Sequence, residues 1–273
     1  VIKANAYGHG SVEIAKFLKN KINLPMCVAT YSEIRELIDN KIDTPILHLG
    51  KLNSRGNDFF LNSNVRCTIN SLADIQILNT LTKKYKAQLI CHLKIDTGMK
   101  RMGCNLSDYD RILKNVSKNK MINIEGVYSH LACSTDIDNI NNKLQIDRFN
   151  KIVNKIKQKY DIKYYHLLNS SGLYNFPKYI YDSARIGLSM YGISPFNKID
   201  NRLNPVMEFK APLILTKEVK KGEGVGYDCT YIAKDDIKIG IIQCGYADGV
   251  PTEFGNSGEV EFNGEYYPIL GKI

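Results

Sequence analysis

The chain has 273 residues, 44% of them hydrophobic, and a formal net charge of +9. That suffices for one large barrel or for a domain with part of a second, while no uncharged apolar run approaches the ~20 residues of a membrane-spanning helix and no signal peptide is visible. The seven cysteines contain no Cys-x-x-Cys pair, which fits reduced thiols in a cytoplasm, and the basic residues are scattered over amphipathic faces, as at Lys151, Lys155, Lys157 and Lys159, without a nucleic-acid-binding tract.

The first ten residues, Val1-Ile2-Lys3-Ala4-Asn5-Ala6-Tyr7-Gly8-His9-Gly10, read as a short strand running into a glycine-flanked turn. Strand alternation puts Val1, Lys3 and Asn5 on one face and Ile2, Ala4 and Ala6 on the other, so Lys3 points away from the apolar side near the carboxyl end. Ser11 is then expected to cap a helix in which Ile14, Phe17 and Leu18 recur at helical spacing. Further strands are expected at 26–30, 45–50, 65–70, 87–96, 124–131, 164–169 and 183–188. Between them lie helices starting near Ser32, at Ser71, and around Phe149, Ile152, Val153 and Ile156, whose i, i+3, i+4, i+7 spacing marks one apolar stripe. Eight strands alternating with helices predict an α/β fold, a closed (β/α)₈ TIM barrel over residues 1–200.

Beyond about Pro195 the texture changes. Short strand-like runs separated by glycine turns, with no convincing amphipathic helix, predict a second, mainly β domain over 201–273. The chain opens without Met inside a strand and closes mid-strand, so it reads as a fragment with this β domain incomplete.

Polar residues gather where the strands end. In the fifth strand Gln88, Ile90, His92, Lys94 and Asp96 share the face toward the barrel interior, and Leu89, Cys91, Leu93 and Ile95 share the face toward the helices. The loop Asp96-Thr97-Gly98-Met99-Lys100-Arg101-Met102-Gly103 follows, and Arg101 offers a planar fork suited to a carboxylate. The sixth strand ends in Tyr128-Ser129-His130, the seventh in His166-Leu167-Leu168-Asn169-Ser170, and the eighth carries Ala184-Arg185-Ile186-Gly187-Leu188. In the β region, Gly224-Val225-Gly226-Tyr227-Asp228-Cys229-Thr230 presents a tyrosine on a glycine-rich turn. Ligands of parallel barrels sit at the carboxyl ends of the strands, with phosphates held after strands seven and eight.

The ten-residue opening resembles the pyridoxal-phosphate attachment segment of alanine racemases, and the likeness extends over essentially the whole chain. The resemblance implies pyridoxal 5'-phosphate attached at Lys3, with Tyr7, Ser170, Gly187 and Leu188 around its phosphate and Arg185 donating to its ring nitrogen. It implies that Arg101 binds the substrate carboxylate and that His130 stands behind the second catalytic group. Lys94 aligns with a lysine that some members carry as a carbamate; an unmodified Lys94 paired to Asp96 fits the sequence equally. The expected reaction is the interconversion of L- and D-alanine by two acid/base groups on opposite faces, Lys3 and Tyr227, supplying D-alanine for peptidoglycan. In the family that tyrosine comes from the other subunit, which implies a homodimer with shared active sites, with no metal, nucleic acid or membrane partner. A racemase of wider specificity and a non-catalytic carrier of the cofactor remain as alternatives. A decarboxylase is disfavoured because such enzymes usually keep a glutamate where Arg185 stands.

Overall fold

The structure, a computed structural model, describes residues 1–53 and 56–273. It divides into two compact units, Val1–Met207 and Glu208–Ile273. The centre of the first is a six-stranded parallel sheet in the order β1-β2-β3-β4-β5-β6, formed by β1 (Met26–Val28), β2 (Ile46–His48), β3 (Val65–Ile69), β4 (Leu89–Lys94), β5 (Ile122–Tyr128) and β6 (Tyr164–His166). Ile69, Leu89, Cys91, Leu93 and Val127 are wholly buried. Burial of both strand faces is what helices packed around a parallel sheet produce, and it explains the continuous apolar runs.

The helices follow their sequence signals in most places. The α3 helix (Tyr31–Asp39) starts in a capping box of Thr30 and Glu33. Ser71 precedes α4 (Leu72–Tyr85) as expected, with the Asp74 carboxylate accepting from the backbone N–H groups of Asn70 and Ser71. In α6 (Ile140–Lys157), which follows α5 (Tyr109–Val116) in the chain, the stripe of Phe149, Ile152, Val153 and Ile156 is buried. In α2 (Ser11–Leu18) Gly10 holds the capping position, and Ser11 lies inside the helix with its hydroxyl donating to Glu36. Phe17, expected on the packed face, is 65% exposed, because only the stripe of Ile14, Ala15 and Leu18 meets the core.

Two expected strands are corrected. Residues 4–7 are not extended: α1 (Lys3–Tyr7) is one turn in which Ala4, Asn5, Ala6 and Tyr7 have φ of 52°, 52°, 52° and 55°. Each such residue costs about 1–2 kcal/mol against the right-handed form, so neighbours must hold the turn. Glu33 Oε1 accepts from the Ala4 N–H at 2.7 Å and Asn5 Oδ1 accepts from the Ser11 N–H at 2.8 Å. Only Val1-Ile2 runs beside the sheet, with the Ile2 N–H donating to Cys27 O. The expected strand 183–188 reduces to a bridge between Ser183 and His166 and a bond from the Arg185 N–H to Leu168 O. The two end segments meet, since the Val1 nitrogen donates to Ile186 O at 2.8 Å.

In the second unit the strands pair antiparallel: β7 (Leu213–Val219) with β10 (Ile237–Ile242), β8 (Gly224–Val225) with β9 (Tyr231–Ile232), and β11 (Glu259–Phe262) with β12 (Glu265–Pro268). The last pair is joined at Asn263 and Gly264, both at positive φ, as tight hairpins need. No α-helix occurs among its described residues.

Candidate active site

The carboxyl ends of β4, β5 and β6 bring together Lys94, the Tyr128-Ser129-His130 segment and His166, and the following loops add Ser170, Arg185 and Gly187. At the centre is Arg185, 7% exposed. Nη1 donates to His166 Nδ1 at 2.8 Å and His166 O at 3.1 Å. Nη2 donates to Ser129 O at 2.6 Å, His130 Nδ1 at 2.9 Å and Leu167 O at 3.1 Å. A buried guanidinium survives by such saturation. Nε alone has no acceptor among the described residues. Tyr128, 1% exposed, adds its ring 4.9 Å from the guanidinium carbon and 5.5 Å from Lys94 Nζ.

His130 is the acceptor on the other side of Arg185, so its neutral form is required. Burial first, then the charges of Arg185, Lys94, Arg101 and Lys3, pull its pKa down to about 2. Burial and the same Arg185 and Arg101 charges lower Lys94 to about 8. Lys94 is not paired to Asp96: the Asp96 carboxylate accepts instead from the backbone N–H groups of Gly98 and Lys100 and closes the loop. Arg101 is exposed on that loop. The result is a pool of cations with no carboxylate bound to any of Lys3, Lys94, Arg101 or Arg185 among the described residues, which suits anionic ligands.

Lys3 lies on the left-handed turn, half-buried, its Nζ 5.6 Å from the centre of the Tyr7 ring. It makes no hydrogen bond or ion pair among the described residues. The Tyr7 hydroxyl lies where a Cβ on Gly187 would fall, so the close approach requires glycine there. Ser170 Oγ accepts from the Gly187 N–H at 3.1 Å and faces the Ser189 N–H at 3.5 Å. Tyr7, Ser170 and Gly187 thus form one cradle of hydroxyls and backbone amides, and Leu188, 36% exposed, opens the short turn beyond it.

The family model for the alanine racemase N-terminal domain matches residues 1–195, and that for the C-terminal domain matches 206–273. The chain belongs to the alanine racemase family. It is 35% identical to an alanine racemase of Carboxydothermus hydrogenoformans over 277 residues, all of this chain and 75% of that protein. Among solved structures it resembles the alanine racemase of E. faecalis at a TM-score of 0.86 and 30% identity, covering all of this chain and 74% of the other. It also resembles that of Bartonella henselae with covalently bound pyridoxal phosphate, at a TM-score of 0.84 and 27% identity, covering 99% and 75%.

Alanine racemases are isomerases that depend on pyridoxal phosphate, and the donors present here fit that group. An amine with no hydrogen bond or ion pair among the described residues (Lys3), a cradle able to take a phosphate (Tyr7, Ser170, Gly187) and an N–H on a buried guanidinium with no acceptor among them (Arg185 Nε) match its aldehyde, phosphate and ring nitrogen in kind. Tyr227 lies in the second unit on a short turn, Tyr227–Cys229, and is 80% exposed. Two residues that shape the site have no role in the sequence reading: Glu33, which holds the Lys3 turn, and Gln145. Glu33 had a signal in the Thr30-x-x-Glu33 capping box, but nothing in the sequence says that its second oxygen reaches Ala4.

Proposed function

We propose that this chain, within its full-length protein, interconverts L- and D-alanine with pyridoxal phosphate on a (β/α)₈ barrel followed by a β domain. Bound pyridoxal phosphate supplies an electron-withdrawing system that acidifies the Cα–H of an attached amino acid. The chain's own residues then do the following. Lys3 carries the cofactor and, once free, moves the proton at Cα on one face. Tyr227, lent by a partner subunit, moves it on the other. Arg101 takes the substrate carboxylate, aligned by Lys94 as a carbamate. Tyr7, Ser170, Gly187 and Leu188 hold the phosphate. Arg185 would donate from Nε to the ring nitrogen, and because an arginine does not readily give up its proton it would leave that atom unprotonated. Such a donor would limit charge spread into the ring and suppress transamination. The product would serve peptidoglycan synthesis in the cytoplasm; no helix among the described residues is long and apolar enough to cross a membrane.

The observation that carries this reading is the hydrogen-bonding of Arg185, with both terminal nitrogens committed to the protein and Nε left over. The test is racemisation by the full-length protein with added cofactor, with serine, lysine and arginine run beside alanine to set the breadth of specificity. Lys3→Ala is expected to lose covalently held pyridoxal phosphate and at least ~10²-fold in rate, as for loss of a positioned acid/base group. Retention of the covalent cofactor in that variant overturns the assignment.

A further inference from the structure

A continuous line of buried polar side chains crosses the sheet and ends on Arg185. It starts at Arg66 on β3, whose Nε and Nη2 lie 3.0 and 3.3 Å from the two oxygens of Glu125 on β5. Glu125 Oε2 is 3.3 Å from His92 Nε2 on β4, His92 Nδ1 is 2.9 Å from His166 Nε2 on β6, and His166 Nδ1 is 2.8 Å from Arg185 Nη1. His92 and His166 are 2% and 3% exposed, and the side chains of Arg66 and Glu125 are 11% and 13% exposed. Gly126 belongs to the same arrangement, since a Cβ there would run into the His92 ring.

The chemistry of the two ends fixes every proton between them. Arginine only donates, so His166 Nδ1 carries no proton, and a neutral imidazole then carries its single proton on Nε2. His92 Nδ1 must accept that proton's hydrogen bond, which puts the His92 proton on Nε2, aimed at Glu125. A carboxylate only accepts, and the Arg66 fork keeps it ionised. Reversing either ring would set N–H against N–H. Burial holds both imidazoles below the ordinary histidine range, and the His92 contact followed by the Arg66 fork draws Glu125 down to about 2, so all three keep these states at neutral pH.

The structure assigns to Glu125, acting with Arg66 and His92, the role of a positioning residue that locks His166 in its Nε2–H form and so anchors Arg185 through Nη1, leaving Nε as its donor to the cofactor ring. The last clause rests on the reading of Arg185 given above; the histidine lock does not. An amide at position 125 both donates and accepts, so it no longer dictates which way the His92 proton points. The reversed tautomers of His92 and His166, barred at both ends in the unaltered protein, are then opposed at the Arg185 end alone, and wherever they form Arg185 Nη1 keeps only His166 O of its two acceptors.

Histidine-selective ¹⁵N spectra of the full-length protein, recorded without cofactor and assigned by single His→Gln substitutions, read the tautomers directly; this chain contributes five histidines. In the unaltered protein His92 and His166 are expected to be protonated at Nε2 alone. In Glu125→Gln the His166 signals are expected to become a mixture of both tautomers. With cofactor restored, kcat for alanine should fall about tenfold, equivalent to about 1.4 kcal/mol, while KM moves less than about threefold. Should Arg66, left with a neutral partner, prevent folding, the double variant Arg66→Met/Glu125→Leu removes both charges and leaves no unpaired buried ion; it should show the same mixture. A single Nε2–H form of His166 in a folded variant overturns the lock. A mixed tautomer with kcat within about twofold of the unaltered protein overturns the positioning role. An unaltered protein that shows the lock but does not racemise alanine sinks the functional reading and leaves the lock standing.

Discussion

Lys94 is the residue whose ordinary charge fits its surroundings least. Burial, Arg185 and Arg101 bring its pKa from 10.5 to about 8, and Asp96, a carboxylate whose charge opposes that shift, is spent on the backbone of its own loop. As pH rises through about 8 the neutral amine becomes the major form, and that form adds carbon dioxide, forming an N–C bond and releasing a proton to give a carbamate anion. Such an anion would neutralise part of the cation pool and give Arg101 a partner. Native mass spectrometry of the full-length protein is therefore expected to show the mass of one carbon dioxide lost in Lys94→Met. On the proposed role of position 94 in aligning Arg101, KM for alanine should rise about tenfold, the scale of one hydrogen bond to a charged group. An unchanged KM would show that Arg101 needs no help from position 94.

At the scale of elements, α6 does more than cover the sheet. Gln145, 1% exposed, accepts from the Ala132 N–H at 2.9 Å and donates to His130 O at 2.9 Å and Thr97 Oγ1 at 3.2 Å, while Arg148 donates to Thr97 O at 2.9 Å. One helical turn thus ties the end of β5, which carries His130, to the loop after β4, which carries Arg101. Gln145→Ala removes the hydrogen bonds to the Ala132 N–H, the His130 carbonyl and Thr97 Oγ1 together, a loss of about 1–3 kcal/mol. In a protein of this size that is a fall in Tm of about 3–10 °C, and kcat should drop with it; calorimetry and steady-state kinetics check both, and an unmoved Tm would mean water replaces the amide without penalty. The apolar stripe of α6, the Ser71 cap and the inward and outward faces of β4 were legible in the sequence, because each depends on residues a few positions apart. The Gln145 tie was not, and neither was the Lys3 turn. Alternation of Ile2, Ala4 and Ala6 spells a strand, but Glu33, 29 positions from Ala4, holds the backbone left-handed. His92 and His166, 74 positions apart, meet only because β5 lies between their strands. Local pattern reveals which residues are polar and inward; it does not reveal which of them touch.

Taken as a whole, the chain combines an excess of cations with buried groups that resist protonation, and both push its stability toward higher pH. His130 has a folded pKa of about 2 against 6.5 for an exposed ring, and burial lowers His92 and His166 as well. Between the two values the unfolded chain binds the proton and the folded chain does not, so stability is present above about 6.5 and is lost as pH falls toward the folded value. For His130 alone the loss by pH 5 is about 2 kcal/mol, against a typical total of about 5–15 kcal/mol. Glu125 also has a depressed folded pKa, about 2 against 4.5; its contribution is complete above about 4.5 and lost only below, so it is silent between pH 5 and 7. Lys94 acts at the other end, adding stability as pH climbs from about 8 to 10.5, because the unfolded chain keeps a proton that the buried amine has released. Chemical denaturation of the cofactor-free protein should therefore show a midpoint that falls from pH 7 to pH 5, with most of the loss already present above 4.5, where carboxylates other than perturbed ones have yet to titrate. A midpoint that stayed level down to pH 5 and then dropped would assign acid sensitivity to carboxylates and remove the buried histidines, and the cation pool around them, as its cause.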